Sequence, residues 1–157
     1  TISGAVAANL FASTTGTDSD WVVKLIHVHP PEMRSNPALG GYQMMVSGDI
    51  LRGRYRDSRE QPKAAVPGEV AQYRVRLPQA NHTFQRGHRL MVQVQSSWFP
   101  LYDRNPQTFV ENIAKARPED YRAATQRIYF SPQQPSFIEL PVVEAQAAQI
   151  ESGTVSN

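Results

Sequence analysis

The histidines are the candidate metal ligands of this 157-residue chain. His27 and His29 are separated by one residue in an apolar segment, so in a strand both side chains point to the same face. A metal site needs at least three protein ligands, and the local sequence adds neither a carboxylate nor a third histidine. His88 directly follows Gly87 at a strand entrance, where a structural hydrogen bond is expected. We therefore predict no metal site and no cofactor; a metal-dependent hydrolase would need a third ligand from elsewhere in the chain.

Other chemical signatures are weak or missing. Asp18-Ser19-Asp20 resembles part of a calcium-binding loop, but the Gly-x₅-Glu continuation is missing and Trp21 begins a strand, which favours Asx-turn hydrogen bonds. The chain has no Cys, no Gly-x-Ser-x-Gly and no Gly-rich phosphate loop. The sequence therefore predicts no catalytic residue, and the lack of Cys leaves a periplasmic and a cytoplasmic location equally open.

An aromatic-rich segment at 96–106 follows an alternating stretch at 89–95. Such a rigid loop at a strand end places side chains against something else, and aromatics and arginine concentrate at interfaces. We expect the charged pair in it to fix the loop while two aromatics fill an apolar recess of another domain. The alternative is that these aromatics stack on a sugar, as in a carbohydrate-binding module. The candidate contact residues are Trp98, Phe99, Tyr102, Asp103 and Arg104.

The charge pattern does not favour nucleic acid as a partner. The formal net charge is only +2. Arg52, Arg54 and Arg56 alternate along a predicted strand, as do Arg74 and Arg76 along another, which places them on solvated faces or in pairs with carboxylates. No apolar run is long enough to cross a membrane, so a soluble protein is expected.

Short strands with turn signals between them dominate the pattern, which is typical of an all-β sandwich or jelly roll. The first two predicted strands, 5–12 and 21–29, are expected to pair. One short helix is predicted near 118–126, because Pro118 and acidic residues precede helix formers. The further predicted strands are 42–55, 70–77, 89–95, 128–130 and 137–143.

The length and the apolar content fit one domain, predicted over 1–143, followed by a flexible tail at 144–157 that is Ala/Gln-rich and then Gly/Ser-rich. The chain opens on Thr1 and runs directly into an apolar segment. We therefore expect it to be a fragment of a longer polypeptide.

A family resemblance rests on the segment GTDSDWVVKLI at Gly16–Ile26 and on further matches in register over most of 1–143. In these segments the chain resembles the C-terminal domain of the cocaine esterase / X-Pro dipeptidyl-peptidase family of serine hydrolases. Trp21 and the Trp98–Pro100 stretch look most similar to the α-amino-acid ester hydrolases and the glutaryl-7-aminocephalosporanic-acid acylase-like members. His27 departs from the family pattern, which carries Asp there. The other matching segments are 48–56, 67–69, 77–84, 87–94, 96–105 and 135–141.

The resemblance implies a non-catalytic jelly-roll domain, similar to galactose-binding folds. In that family an α/β-hydrolase domain upstream supplies a Ser-His-Asp triad that cleaves esters or amides through an acyl-enzyme. The partner implied for this chain is therefore that catalytic domain of its own polypeptide, whose acyl pocket the chain would help to shape. The resemblance also implies that the first strands of the jelly roll precede Thr1. An edge left open in this way is liable to pair with a second copy of the chain.

Overall fold

Nine β-strands form within residues 1–143, the part of the chain that this computed structural model describes. The tail predicted at 144–157 lies outside the described residues. No helix in the described part is long and apolar enough to cross a lipid bilayer. The strands are β1 (Ile2–Thr14), β2 (Asp20–Val28), β3 (Gln43–Arg52), β4 (Ala71–His82), β5 (Arg89–Gln95), β6 (Gln126–Ile128), β7 (Phe130–Ser131), β8 (Gln134–Pro135) and β9 (Phe137–Glu139).

The strands assemble into two antiparallel sheets. In the first sheet β1 is central: β4 pairs along one edge, and β6 and β9 pair with successive parts of the other edge. In the second sheet β2 lies between β3 and β5. β7 and β8 form a separate two-stranded ladder. The prediction of an all-β sandwich is therefore confirmed.

The core lies between the two sheets and follows the alternation of the sequence. In β4 the buried Tyr73, Val75 and Leu77 alternate with the exposed Arg74 and Arg76, as predicted. Alternate residues of β1 extend this layer within the same sheet, and alternate residues of β2 fill the space opposite. The buried core residues are Ile2, Val6, Ala8, Leu10, Ala12, Trp21, Val23, Leu25, Tyr73, Val75, Leu77 and Ala80.

The predicted pairing of the first two strands is wrong, because β1 and β2 belong to different sheets. Both strands are apolar on both faces over most of their length. Such a strand is stable only when each face is covered and each edge is paired, so each becomes the centre of its own sheet. The connection between them crosses the sandwich, which explains why its residues Asp18 and Ser19 are buried.

The helix predicted near 118–126 is reduced to a single 3-10 turn over Pro118–Asp120. Asp120 caps that turn, since its Oδ2 accepts from the backbone amide of Arg117 at 2.8 Å, but the chain beyond the turn bonds to another loop rather than to itself. The backbone amide of Thr15 donates to the carbonyl oxygen of Thr125 at 3.0 Å, and the amide of Thr125 donates to the Thr15 hydroxyl at 2.9 Å. These two bonds hold the segment extended where it enters β6.

Arg54 takes the second of the two predicted arrangements, a pair with a carboxylate, but it does so in the interior rather than on a strand face. The strand ends at Arg52, three residues before the predicted end at 55, and Gly53–Tyr55 form a 3-10 turn that points Arg54 into the interior. Its side chain is 3% exposed. Its Nε donates to Oδ2 of the buried Asp18 at 2.8 Å, and its Nη1 donates to the carbonyl oxygen of Val110 at 2.8 Å. The charge is therefore paired and hydrogen-bonded, which is the condition for burying it.

Replacing Arg54 alone should destabilise the domain strongly. Arg54→Met leaves the Asp18 carboxylate buried without a counter-charge, a change that costs about 3–5 kcal/mol of unfolding free energy. Adding Asp18→Asn should recover part of that loss, because the uncompensated charge disappears while Oδ1 still accepts from the Ser19 amide. Denaturant titration of the single and double variants measures both effects.

Arg74→Met is the matched control, since it breaks the half-exposed Arg74–Glu139 pair, whose atoms lie 2.9 Å apart. Its cost should stay within about 1 kcal/mol. Equal losses of unfolding free energy in Arg54→Met and Arg74→Met would contradict a special role for the buried Asp18–Arg54 pair.

Candidate functional site

The aromatic segment after β5 lies on the outer face of the second sheet. The ammonium of Lys24 sits 4.4 Å from the centroid of the Trp98 ring. Gly48 is the register partner of Lys24 on β3, and a Cβ there would approach Cη2 of Trp98 to 3.2 Å. The missing side chain of Gly48 therefore makes room for the indole, which is half-buried against its own domain.

The chain between Trp98 and Tyr102 forms a closed turn. The Tyr102 amide donates to the Trp98 carbonyl oxygen at 3.0 Å, and the two rings lie 6.0 Å apart. The turn presents Phe99 and Leu101 to solvent, with 64% and 65% of their surface exposed. Of the three aromatics singled out in the sequence, Phe99 is thus the exposed one, while the other two pack within this chain.

Asp103 and Arg104 do not fix the loop as predicted. Both are exposed, and no ion pair joins them in the described part of the chain. The Arg104 guanidinium instead lies 5.6 Å from the ring centroids of both Phe99 and Tyr121. Arg104 therefore belongs to the exposed aromatic surface rather than to its support.

The support is Asn105, which the sequence did not single out. Asn105 is buried; its Nδ2 donates to Oδ1 of Asp20 at 2.9 Å, and its Oδ1 accepts from the Gln107 amide at 2.8 Å. Asp20 also accepts from Nη1 of Arg52 at 3.1 Å. No local signal marks this asparagine, because its partner lies 85 residues away.

The Asp18-Ser19-Asp20 motif is therefore structural. Oδ1 of Asp18 accepts from the amide of Ser19 at 2.8 Å, the next residue, rather than from the amide two residues on that the predicted Asx turn would use. Burial, which is only partly offset by the bonds from Asn105 and Arg52, raises the pKa of Asp20 from 3.8 to about 6. This carboxyl is the one that ties the start of β2 to the end of the aromatic loop.

The four histidines converge at the other end of β2. His27 is buried; its Nδ1 lies 2.7 Å from Nε2 of His82, and its Nε2 lies 2.6 Å from Nδ1 of His88. The ring of His29 is 4.8 Å from that of His88 and 5.0 Å from that of His27. The third histidine that the local sequence lacked is thus His88, which directly precedes β5, the antiparallel neighbour that begins where β2 ends.

Burial lowers the pKa of His27, and the neighbouring imidazoles of His82, His88 and His29 lower it further. The ring of Phe84 packs against His27, with the centroids 5.2 Å apart. These surroundings therefore disfavour the charged form of His27. In the neutral form one ring nitrogen donates a hydrogen bond and the other carries a lone pair.

A profile of the X-Pro dipeptidyl-peptidase C-terminal non-catalytic domain matches residues 1–139, almost the whole of the described chain. The chain belongs to this family. The resemblance carried by Gly16–Ile26 and the later segments is confirmed, and so is the prediction of a non-catalytic C-terminal domain.

Individual members of the family give the same result. The cocaine esterase of Rhodococcus sp. (strain MB1 Bresler) is 35% identical over 143 residues, which are 91% of this chain and 23% of the esterase. A crystal structure of an aminopeptidase from a marine sediment archaeon, Thaumarchaeota archaeon, superposes with a TM-score of 0.89 at 58% identity, over 91% of this chain and 23% of that one. A selenomethionine-labelled α-amino acid ester hydrolase gives a TM-score of 0.88 at 61% identity, over 90% and 23%.

The chain thus spans 23% of the length of each of these relatives. All three are hydrolases by name, and none is described as a carbohydrate-binding protein. The comparisons therefore give no support to the carbohydrate-binding alternative.

The raised pKa of Asp20 predicts a pH effect on stability. Between pH 3.8 and about 6 the folded chain holds a proton on Asp20 that the unfolded chain has lost, so this group adds stability as the pH falls through that window. Its contribution should increase by about 2 kcal/mol from pH 7 to pH 4.5. Asp20→Asn lacks this contribution, so the unfolding free energy of the wild type minus that of the variant should increase as the pH falls.

Denaturant titration of both proteins at each pH measures this difference. The exposed Asp57→Asn controls for the loss of a carboxylate from the surface. A wild-type minus Asp20→Asn difference that stays constant from pH 7 to pH 4.5 would show that Asp20 is ionised throughout.

Proposed function

We propose that this domain packs against an α/β-hydrolase catalytic domain upstream in the same polypeptide and helps to wall the acyl pocket of that domain. The whole protein would be a serine hydrolase acting on ester or amide bonds. The family description and the three relatives, named as an esterase, an aminopeptidase and an ester hydrolase, support this proposal. The present chain would then position the catalytic domain and cover its acyl pocket rather than take part in the reaction.

The observation that carries the proposal is an exposed apolar tip on a fixed loop. Phe99 and Leu101 each expose more than three-fifths of their surface. The loop bearing them is anchored at one end by Trp98 on the sheet and at the other by the buried Asn105. An ordered apolar protrusion of this kind is suited to fill a recess in a partner, because little conformational entropy is lost on binding.

The surroundings of the tip suit an interface. Arg104 lies between Phe99 and Tyr121, and arginine with aromatic neighbours is the residue combination enriched among interface hot spots. Asp103, which precedes Arg104, is also exposed and adds a charge to this loop. Trp98 and Tyr102, the remaining contact residues predicted from the sequence, would act by holding the turn in place.

Shortening the tip should loosen the contact between the two domains in the intact protein. Phe99→Ala should weaken it by about 2 kcal/mol or more, the loss expected for a buried anchor. Faster thermal inactivation, and faster proteolytic cleavage between the domains, would report the loosening. Val66→Ala is the matched control, since Val66 is 59% exposed and lies in a different loop. Inactivation at the same rate in both variants would count against this loop as the interface.

The sandwich has a second open surface, an apolar groove of about 310 Å³ between β5 of one sheet and β9 of the other. β5 pairs only with β2, so its outer edge has no partner strand among the described residues. Leu90 and Val92 of β5 are 42% and 38% exposed, and Phe137 of β9 is 49% exposed. The residues lining the groove are Ala8, Leu10, Val92, Val94, Ile128, Phe130, Ser136, Phe137 and Ile138.

We propose that a strand from the polypeptide preceding Thr1 pairs with β5 and covers this groove. Relatives about four times as long as the chain provide such a segment, and the groove is almost wholly apolar, as the interior of a sandwich is. An uncovered strand edge above an apolar groove is an aggregation hazard that natural sheets avoid. The rival occupant is a second copy of the chain, which would make the protein a homo-oligomer.

Hydrogen exchange in the intact protein tests this arrangement. The alternate β5 amides that point away from β2 should be protected, because a partner strand accepts their hydrogen bonds. The protection should not depend on protein concentration, since the partner is covalently attached. Protection that disappears on dilution would identify a second copy as the occupant, and unprotected amides would show an open edge; either result overturns the proposal.

A further inference from the structure

The histidine cluster, His27, His29, His82 and His88, has the geometry of a metal site. A ring nitrogen of each of His27, His29 and His88 lies within 4.8 Å of the others. Nε2 of His27 and Nδ1 of His88 are 2.6 Å apart. Two nitrogens on a tetrahedral zinc ion are about 3.3 Å apart, since each Zn–N bond is about 2.0–2.1 Å. A displacement of less than 1 Å would therefore admit the ion between them.

Hydrogen bonding alone leaves one buried atom of the cluster unexplained. If Nδ1 of His27 donates to His82, then Nε2 of His27 can accept from Nδ1 of His88, and both contacts are satisfied. Nδ1 of His29, however, is buried with no hydrogen-bond partner among residues 1–143. A buried polar atom without a partner costs free energy unless something else binds it. A metal ion bound to Nδ1 of His29 would supply the missing partner.

His82 occupies the position of a supporting residue. A histidine that binds a metal through one nitrogen usually donates a hydrogen bond through the other, which fixes the ring orientation. Nε2 of His82 lies 2.7 Å from Nδ1 of His27, so it can accept that bond while Nε2 of His27 faces His88. The ring of Phe84 packs against both imidazoles and limits their rotation.

We propose that His27, His29 and His88 bind a divalent zinc ion, with His82 as a positioning residue for His27. The donor set is three neutral imidazole nitrogens, which suits zinc rather than the oxygen-preferring calcium or magnesium. His29 and His88 are only partly buried, so the fourth position of the ion is accessible to water or to a small ligand. The site joins the end of β2 to the start of β5. It rests on different residues from the proposed domain contact.

Zinc binding to the intact protein, prepared without a polyhistidine tag, tests the site. After dialysis against trace zinc, elemental analysis should find one more zinc ion per chain in the wild type than in His29→Ala or His88→Ala. Competition with a chromophoric chelator should show affinity reduced by more than about 100-fold in both variants, beyond the loss that follows removal of an outer-shell partner. Cobalt(II) in place of zinc should give the intense visible bands of a four-coordinate ion in the wild type only.

His82 provides a graded comparison. His82→Leu should weaken zinc binding by about 10- to 100-fold, because His27 loses its hydrogen-bond acceptor, whereas His82→Gln keeps an acceptor oxygen and should bind more tightly than His82→Leu. Circular dichroism of the metal-free variants verifies that each is folded. If His88→Ala does not fold, His29→Ala provides the comparison with the wild type. A wild type that retains no zinc, or equal retention by the wild type and both alanine variants, would overturn the proposal.

Discussion

The buried ion pair of Asp18 and Arg54 is the contact on which the rest of this domain depends. It lies where the chain crosses from the first sheet to the second, and it ties that crossing to the turn after β3 and, through Val110, to the chain beyond the aromatic loop. Gly53 permits the approach, since its amide donates to the Ser19 carbonyl oxygen at 2.7 Å and a Cβ there would lie 2.7 Å from the same oxygen. Removing either charge leaves the other in a low-dielectric interior, so the crossing and the turn are stable only together.

The same crossing between the sheets also determines which aromatic side chain is exposed, through a second buried carboxylate. Asp20 lies two residues after Asp18, and its carboxylate binds both Arg52 and Asn105. The bond to Asn105 fixes the end of the loop whose tip presents Phe99 to solvent. A hydrophobic side chain on a mobile loop would fold back onto its own domain, whereas here the loop is held at both ends and the ring stays outside. The site proposed for domain contact is thus a consequence of where two buried carboxylates are paired.

Local alternation predicted the elements well and the long-range contacts poorly. The bounds of β5 were predicted to the residue and the two faces of β4 were assigned correctly, because period-2 patterning reports burial directly. Arg54 was misplaced because the pattern continues for two residues beyond the point where a glycine ends the strand. The partners of Asn105 and of His27 lie more than 50 residues away, so no local spacing could reveal them. The family motif supplied the fold class, but it did not show which aromatic side chain is exposed.

The two ends of β2 illustrate how one strand buries polar groups in different ways. At its start, Asp20 keeps a partial counter-charge from Arg52, yet desolvation still dominates and raises its pKa. At its end, His27 lies against the imidazoles of His82, His88 and His29 and the ring of Phe84, and desolvation lowers its pKa. A carboxylate with an arginine beside it forms a fixed structural joint. A neutral imidazole has one ring nitrogen with a lone pair, and that lone pair is satisfied either by a hydrogen-bond donor or by a cation. The burial that makes Asp20 structural therefore makes His27 a candidate ligand.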